Sequence, residues 1–334
     1  MPIITDREQV LGIYREAESS RWVLPCLCTE NLTTTEAILE AAREYGDEKG
    51  IPDLPIIVAI TNLYSHRAQS TFYTHTHRWD IGIKLFLEDL RILTEKGSPY
   101  KKLRVMVHLD HIQFDEDREL LSWDMGAFSS IMFDASKLPL QENIRLTRQF
   151  VEEQGNKIVV EGACDEIADA GGEIRNELTT AEEAWAYLEG TGVDLIVANL
   201  GTEHRASGKE LKYYGDQARK IKERIGNRIV LHGTSSVPDD QIAQLIDDGV
   251  CKVNIWTTLE RDSSPVLFRS MVENASKVAG RSVVEELKQA GYLGPKCSSQ
   301  DAASLDFFTT AYRQQIVFHE MKKLVRKYLE LWYR

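Results

Sequence analysis

The sequence predicts a (β/α)8 barrel, also called a TIM barrel, with a helical extension after its last strand. Eight short apolar runs alternate with helical segments along the chain. Most of these runs are apolar almost throughout, which is typical of parallel strands covered by helices. The 334 residues contain no repeat and no low-complexity linker. We therefore expect a single TIM-barrel domain over residues 1–334, with the barrel at about 20–260 and the extension at about 261–334.

The predicted strands are short runs rich in β-branched residues, at 22–27, 55–60, 103–109, 130–133, 157–160, 194–200, 228–231 and 251–255. The helices between them are predicted at 34–45, 80–95, 115–124, 141–153, 181–188, 211–224 and 239–247. Capping residues support these boundaries, for example Thr180 before Glu183 and Gly192 after the same helix. A doubly wound open sheet is the alternative, but residues 28–31 lack the glycine-rich turn that usually follows its first strand.

The pattern changes after the eighth predicted strand. Residues 276–291 predict one helix, and residues 301–333 predict one long amphipathic helix or a broken pair. An extension of this kind either packs across a subunit boundary or covers the barrel's own face. The first case predicts a homodimer or a higher homo-oligomer.

Composition and charge exclude several classes of partner. The chain has 40 Lys and Arg against 52 Asp and Glu, a formal charge of −12, and no basic cluster, so neither nucleic acid nor an anionic membrane is an expected partner. No apolar run approaches the roughly 18 residues of a membrane span, and the first residues do not resemble a signal peptide. The 5 cysteines are scattered without a CxxC pair. A cytoplasmic protein without disulfides is expected.

The active site of such a barrel lies where its strands end, and three histidines stand at this end. His111, His204 and His232 follow the third, sixth and seventh predicted strands. Three imidazoles are a usual ligand set for catalytic zinc, because they leave one coordination position open. A single histidine at such a place is more often a structural residue, but three at the same end favour a zinc site.

Carboxylates also follow the predicted strands. Asp110 is adjacent to His111 and should not share a strand face with it, which would leave its carboxylate to act as a general acid and base. The alternative is that Asp110 orients a ligand imidazole. Asp134 and Glu161 follow the fourth and fifth strands and could support the ligands or form a secondary metal position.

Five motifs resemble those of the class II, zinc-dependent ketose-bisphosphate (fructose-bisphosphate) aldolases. They read LDH, DAS, ENI, LHG and KVNI, at 109–111, 134–136, 142–144, 231–233 and 252–255, with TGVD at 191–194 between them. Their order and spacing match the family from about residue 20 to about residue 260. The resemblance implies a lyase of carbohydrate metabolism that reversibly cleaves a ketose phosphate, or a related acidic ketose, into dihydroxyacetone phosphate or a similar ketone and an aldehyde.

The resemblance also implies roles for individual residues. One zinc ion per subunit would be held by His111, His204 and His232, with Asp134 and Glu161 as further metal-site carboxylates and room for a monovalent cation. Asp110 would shuttle the proton of the aldehyde-derived oxygen. Zinc would polarise the ketone, so that no lysine Schiff base is needed. The expected substrate contacts are Thr61, Asn62, Gly233, Ser235, Asn254 and Thr257.

Departures from the family pattern suggest a substrate other than fructose 1,6-bisphosphate. Ala163 replaces a glutamate of the metal site, and Glu173 follows a glycine pair that carries a proton-handling acid in the family. Arg205 adds a guanidinium suited to phosphate or carboxylate. Trp256 stands where the family has aspartate, and Cys28 stands where it has a substrate-contacting asparagine.

Other interpretations stay open at this point. His75 and His77, in the long loop after the second strand, bind an acidic substrate group or a second metal, or are solvent-exposed loop residues. Arg205, Ala163 and Trp256 also fit a zinc lyase or hydrolase of the same barrel acting on another substrate. A non-catalytic partner subunit is the third hypothesis, and the retention of all three histidines argues against it.

Overall fold

The computed structural model describes residues 3–165, 178–203, 213–238 and 240–333. Eight parallel strands form a closed barrel in chain order, which confirms the predicted (β/α)8 fold. The strands are β1 Leu24–Cys28, β2 Pro55–Thr61, β3 Arg104–Gln113, β4 Ser130–Asp134, β5 Val159–Ala163, β6 Leu195–Val197, β7 Ile229–Leu231 and β8 Val250–Ile255. Apart from Arg104, every strand residue is buried, because helices cover the outer face of the barrel.

The α-helices of the described part are α1 Arg7–Ser19, α2 Leu32–Lys49, α3 Gln69–Phe72, α4 Trp79–Leu93, α5 Arg118–Leu121, α6 Leu140–Gln154, α7 Ala181–Thr191, α8 Gly215–Ile225, α9 Thr257–Glu273, α10 Ala275–Ala279, α11 Arg281–Gln289, α12 Leu305–Phe308 and α13 Thr310–Trp332. The predicted capping box is present at α7, where the side chains of Thr180 and Glu183 each accept from the other's backbone N–H. In this part of the chain, no helix is both long and apolar enough to cross a membrane.

Two predicted helices were wrong. The segment 115–124 holds only the short α5, and the segment 239–247 holds only the 3-10 turn Ile242–Gln244 in its described residues. In the first segment, the Asp117 carboxylate accepts hydrogen bonds from the backbone of Gln113 and from the Asn62 side chain. Aspartate side chains that bond to nearby backbone in this way compete with a helix. The helices α1, α3 and α9 were not predicted.

The C-terminal extension covers the barrel itself. The segment 276–291 is not one helix but two, α10 and α11, because Gly280 interrupts it with φ +88°. The segment 301–333 is the broken pair α12 and α13. The helix α13 packs against α2 and α9, and the Trp332 indole donates to the carbonyl of Ile242 at 3.0 Å. The contacts of α13 therefore fit the alternative in which the extension covers its own subunit.

Candidate active site

A break in the regular pleat of β3 brings two adjacent side chains to the mouth of the barrel. The register between β3 and β4 shifts between Leu109 and Ile112, and His111 has φ +49°. One ligand atom each from Asp110, His111 and His232 lies within 4.8 Å of the others, and all three residues are buried. The expectation that Asp110 and His111 could not share a face was wrong, because a β-bulge cancels the alternation of side chains at this point.

Asp134 orients one of these histidines instead of joining the cluster. Its Oδ2 lies 3.0 Å from Nδ1 of His111, and its Oδ1 accepts from the hydroxyl and the backbone N–H of Ser136. Burial alone would raise the pKa of Asp134, but the hydrogen bond with His111 and the donors of Ser136 outweigh it and hold this pKa far below its usual range. With Asp134 on Nδ1, Nε2 is the nitrogen of His111 that could hold a metal.

The Asp110 carboxylate is held by two donors from other strands. The Asn254 amide donates to Oδ1 at 2.8 Å, and the Cys28 thiol donates to Oδ2 at 3.4 Å. Burial tends to raise the pKa of Asp110, but the neighbouring imidazoles, first His111, overcome this and place it well below its ordinary value. Asp110 is therefore an ionised, oriented carboxylate, which suits a proton acceptor.

Glu161 lies in a separate charged layer inside the barrel. Both of its carboxylate oxygens accept from Nζ of Lys252, at 2.6 and 2.8 Å, and both residues are fully buried. The same Nζ lies 3.1 Å from Nε2 of His108, whose Nδ1 contacts the hydroxyl of Ser130 at 2.8 Å. The structure thus pairs Glu161 with Lys252 and does not bring it into the cluster that could hold a metal.

One wall of the pocket, which we call the β7–β8 arc, consists of Gly233, Thr234, Ser235, Thr257 and Thr258. Gly233 has φ +68°, and a Cβ there would lie 2.8 Å from the carbonyl oxygen of Glu203. The first turn of α9 begins at Thr257 without a side-chain cap, so its N–H groups carry the partial positive charge of a helix start. Within the described residues, Ser235 Oγ is buried without a hydrogen bond.

The facing loops form a second wall, the β1–β2 arc, made of Cys28, Thr61, Tyr64, Arg67 and Gln69. Behind it, the buried Glu30 carboxylate accepts from the Arg67 guanidinium at 2.9 Å and from the Gln69 amide at 3.2 Å. The indole of Trp256, which follows β8, donates to the same carboxylate at 2.8 Å. A single carboxylate thereby fixes three side chains that line the pocket.

The two predicted contacts at the end of β2 are already hydrogen-bonded to residues of the neighbouring loops. The Thr61 hydroxyl donates to the carbonyl of Arg67 and accepts from the backbone of Gln69. The Asn62 amide donates to Asp117 at 2.8 Å, while its oxygen accepts from the Ser70 hydroxyl at 2.5 Å. Thr61 lines the pocket, whereas Asn62 does not.

Several residues that line or support the pocket were not predicted from the sequence. Tyr64 stacks on the His111 ring with a centroid distance of 4.2 Å and an angle of 2°, and Glu30 organises the arc described above. The available signal was a long polar loop after β2, but its pattern does not identify which side chains turn inward. His75 and His77 are exposed and do not line the pocket, as the solvent-exposed alternative expects. The predicted site residues Glu173, His204 and Arg205 lie outside the described residues.

Sequence comparison places these features in a family. The family described as "Fructose-bisphosphate aldolase class-II" matches residues 8–297. The fructose-bisphosphate aldolase of Streptococcus pneumoniae serotype 4 is 38% identical over 165 residues, which are 46% of this chain and 53% of that protein. The fructose-bisphosphate aldolase of Giardia intestinalis is 28% identical over 219 residues, 57% of this chain and 64% of that protein. The matches therefore span between half and two thirds of these relatives.

Solved structures share the fold over almost the whole chain. The fructose-bisphosphate aldolase of Campylobacter jejuni superposes with a TM-score of 0.74 at 18% identity, covering 99% of this chain and 94% of that one. The YdjI aldolase of Escherichia coli K12 gives 0.66 at 18% identity, covering 96% and 94%. Because the family match extends over nearly all of the sequence, the chain belongs to the class-II fructose-bisphosphate aldolase family.

Proposed function

We propose that this protein is a zinc-dependent aldolase that reversibly cleaves a ketose phosphate into dihydroxyacetone phosphate, or a similar ketone, and an aldehyde. The observation that carries the proposal is the buried cluster of Asp110, His111 and His232 at the barrel mouth, next to the N–H groups of the β7–β8 arc. The cluster combines metal ligands with a carboxylate base, and the arc suits an anion.

The donor set of the cluster fits zinc. The two buried imidazoles of the cluster are ligands that zinc prefers, and Asp134 fixes the ring of one of them. His111 and His232 would hold the ion together with the predicted ligand His204. When bound, zinc polarises the ketone carbonyl and stabilises the negative charge that develops on its oxygen.

Asp110 performs the proton transfer of the cleavage step. Its ionised carboxylate accepts the proton of the substrate hydroxyl that becomes the aldehyde oxygen. The electron pair of the breaking carbon–carbon bond passes to the ketone half, and a proton then enters at its carbon. Asn254 and Cys28 keep the carboxylate in position for this transfer. Glu173 as the second proton-handling acid stays a prediction.

The β7–β8 arc binds the phosphate of the ketone half. Gly233 allows the chain to turn close to the ligand, and Ser235 and the first turn of α9 supply donors. Arg205 would add charge at the same end. The domain division, the homo-oligomeric state, the cytoplasmic location and a monovalent cation stay predictions.

A cleavage assay with controlled metal content tests the proposal. We expect zinc-loaded protein to release an aldehyde from at least one member of a panel of ketose 1-phosphates and 1,6-bisphosphates. A chelator should abolish the reaction, and added zinc should restore it. The variant His232→Ala should lose both zinc and activity, whereas His75→Ala, an exposed histidine, should keep both. Chelator-resistant cleavage, or products of hydrolysis or elimination only, would contradict the proposal.

A further inference from the structure

We propose that the aldehyde half of the substrate carries no phosphate, so that the protein acts on ketose 1-phosphates in preference to 1,6-bisphosphates. The proposal rests on the proposed aldolase function and concerns the β1–β2 arc. Its determinant is the pairing of Arg67 with Glu30, which removes a cation from the wall that this half of the substrate would meet.

The position of the arc follows from the arrangement of the barrel mouth. The ketone phosphate is assigned to loops after β7 and β8, and the reacting atoms lie near Asp110 and His111. Among the described residues, the remaining lining side chains come from the ends of β1 and β2 and from the loop after β2. The end of the substrate distant from the ketone phosphate therefore extends along these loops.

The charge of this wall is already balanced. Among the lining residues in the described part of the chain, Arg67 is the one lysine or arginine. Its guanidinium makes hydrogen bonds through Nε and Nη2 to the Glu30 carboxylate, and it lies 4.8 Å from the Phe72 ring, which fixes its orientation. A phosphate dianion here would meet a cation that is already neutralised.

A second acid strengthens this argument. Glu260, in the first turn of α9, interacts electrostatically with both Glu30 and Arg67. Burial, followed by the charge of Glu30, raises the pKa of Glu260 to about 7. Above this pH, Glu30, Arg67 and Glu260 together carry a net negative charge, which repels a phosphate. Below it the group is neutral and still offers no unpaired cation.

Three neutral donors of the wall, on Thr61, Gln69 and Trp256, are also committed. The Thr61 hydroxyl donates to the carbonyl of Arg67, whereas the Gln69 amide and the Trp256 indole donate to Glu30. A phosphate could accept hydrogen bonds from these donors only if their present hydrogen bonds were broken. The hydroxyl groups of an uncharged aldehyde need fewer donors and no counter-charge, so they fit this wall better.

The synthesis direction gives the direct test. Zinc-loaded protein and dihydroxyacetone phosphate are mixed with D- and L-glyceraldehyde or with their 3-phosphates, and consumption of dihydroxyacetone phosphate is followed. We expect kcat/KM for the better unphosphorylated aldehyde to exceed that for either 3-phosphate by at least about 10-fold. Equal values, a preference for a 3-phosphate, or turnover of no aldehyde would overturn the proposal.

Proton exchange separates this outcome from failure of the proposed function. If the protein exchanges the hydroxymethyl proton of dihydroxyacetone phosphate with solvent, the aldolase chemistry stands whatever aldehyde it accepts. If exchange is absent, the proposed function fails together with this inference.

The variant Glu30→Gln tests the determinant. Glutamine keeps the shape and an acceptor oxygen but removes the negative charge, so Arg67 is no longer neutralised. We expect the ratio of kcat/KM for the 3-phosphate over that for the free aldehyde to rise at least about 10-fold. The matched control is Asp89→Asn, which weakens the bond from the hydroxyl of Tyr73 in the same loop without lining the pocket, and should leave the ratio unchanged.

Glu260→Gln provides a second, milder variant in case Glu30→Gln does not fold. Measured at pH 8, where Glu260 is ionised in the parent protein, it should raise the same ratio a few-fold. An unchanged ratio in every folded variant would overturn the role of this charge balance.

Discussion

The two walls of the pocket use their polar groups in opposite ways. In the β7–β8 arc, the Ser235 hydroxyl makes no hydrogen bond within the described residues, and α9 begins without a side-chain cap. In the β1–β2 arc, the side chains of Arg67 and Gln69 bond to Glu30. The β7–β8 arc thus keeps one hydroxyl and a helix N-terminus available for a charged ligand, whereas the charged donor of the β1–β2 arc is already bonded to a carboxylate.

The origin of the two walls also differs. The β7–β8 arc depends on backbone conformation, above all on Gly233 at φ +68°. The β1–β2 arc depends on one buried carboxylate, Glu30, which accepts from two side chains that follow β2 and one that follows β8. We therefore expect substitutions in the β7–β8 arc to change KM for the ketone phosphate. Substitutions in the β1–β2 arc should change KM for the aldehyde.

The largest effect is expected at Asp110, which lies between the two walls. Asp110→Asn keeps the shape but removes the proton acceptor, so kcat for cleavage should fall by about 10³-fold with little change in KM. Asp115→Asn, an exposed neighbour, should have no effect. Zinc content is measured in parallel, because loss of zinc from Asp110→Asn would make this residue a ligand and contradict its assignment as the base.

The second prediction concerns a substitution that distorts the β7–β8 arc. In Gly233→Ala, the new Cβ would lie 2.8 Å from the Glu203 carbonyl oxygen in a backbone conformation that disfavours alanine. We expect KM for dihydroxyacetone phosphate to rise about 10- to 100-fold. Gly226→Ala has φ +74° but no atom within 4 Å of the new Cβ, so it carries the strain without the crowding. An equal rise in KM in both variants would contradict the account.

The third prediction concerns the acid behind the β1–β2 arc. The pKa of Glu260 is about 7 in the folded protein against an ordinary value of 4.5, so the native state retains a proton that the unfolded chain releases in this window. The free energy of unfolding should therefore fall as pH rises from 4.5 to 7. Glu260→Gln removes this dependence, on the order of 2 kcal/mol after allowance for partial exposure.

Urea denaturation at pH 5 and pH 8 measures this difference. The exposed Glu223→Gln on α8 serves as the control and should follow the parent protein at both values. A Glu260→Gln variant with the same pH dependence as the parent would show that Glu260 titrates normally.

The smallest effect is expected where one neutral hydrogen bond is removed from the β1–β2 arc. Trp256→Phe loses the 2.8 Å bond from the indole to Glu30, which typically contributes about 1 kcal/mol. KM for the aldehyde should rise about 5-fold while proton exchange of dihydroxyacetone phosphate stays unchanged. Trp185→Phe on α7 is the matched control. A change in proton exchange of dihydroxyacetone phosphate without a change in KM for the aldehyde would contradict the division of roles between the two walls.

The sequence was sufficient to predict what depends on local pattern. The apolar runs predicted every strand of the barrel, because parallel strands buried on both faces need such runs. The position of His111 and His232 at strand ends likewise placed both at the predicted mouth, where the structure brings them together. Their roles, and those of Asn254 and Ser235, stay predictions.

Features that depend on contacts between distant residues could not be read in this way. The bulge at His111 depends on how β3 pairs with β4, and no residue type in this segment predicts it. Glu30, Arg67 and Trp256 are far apart in sequence and meet only when the barrel closes. Glu161 follows a strand like the other site carboxylates, and only the structure shows that Lys252 occupies both of its oxygens.

Proton exchange of dihydroxyacetone phosphate in D2O tests the central claim most directly. NMR follows the hydroxymethyl proton with zinc-loaded protein, with and without a chelator, and with Asp115→Asn as a folded reference. We expect exchange that the chelator abolishes, because activation of the ketone carbon precedes any contact with an aldehyde. Absence of exchange in zinc-replete protein, or exchange that persists after removal of the metal, would contradict the assignment of zinc-dependent aldolase chemistry to this site.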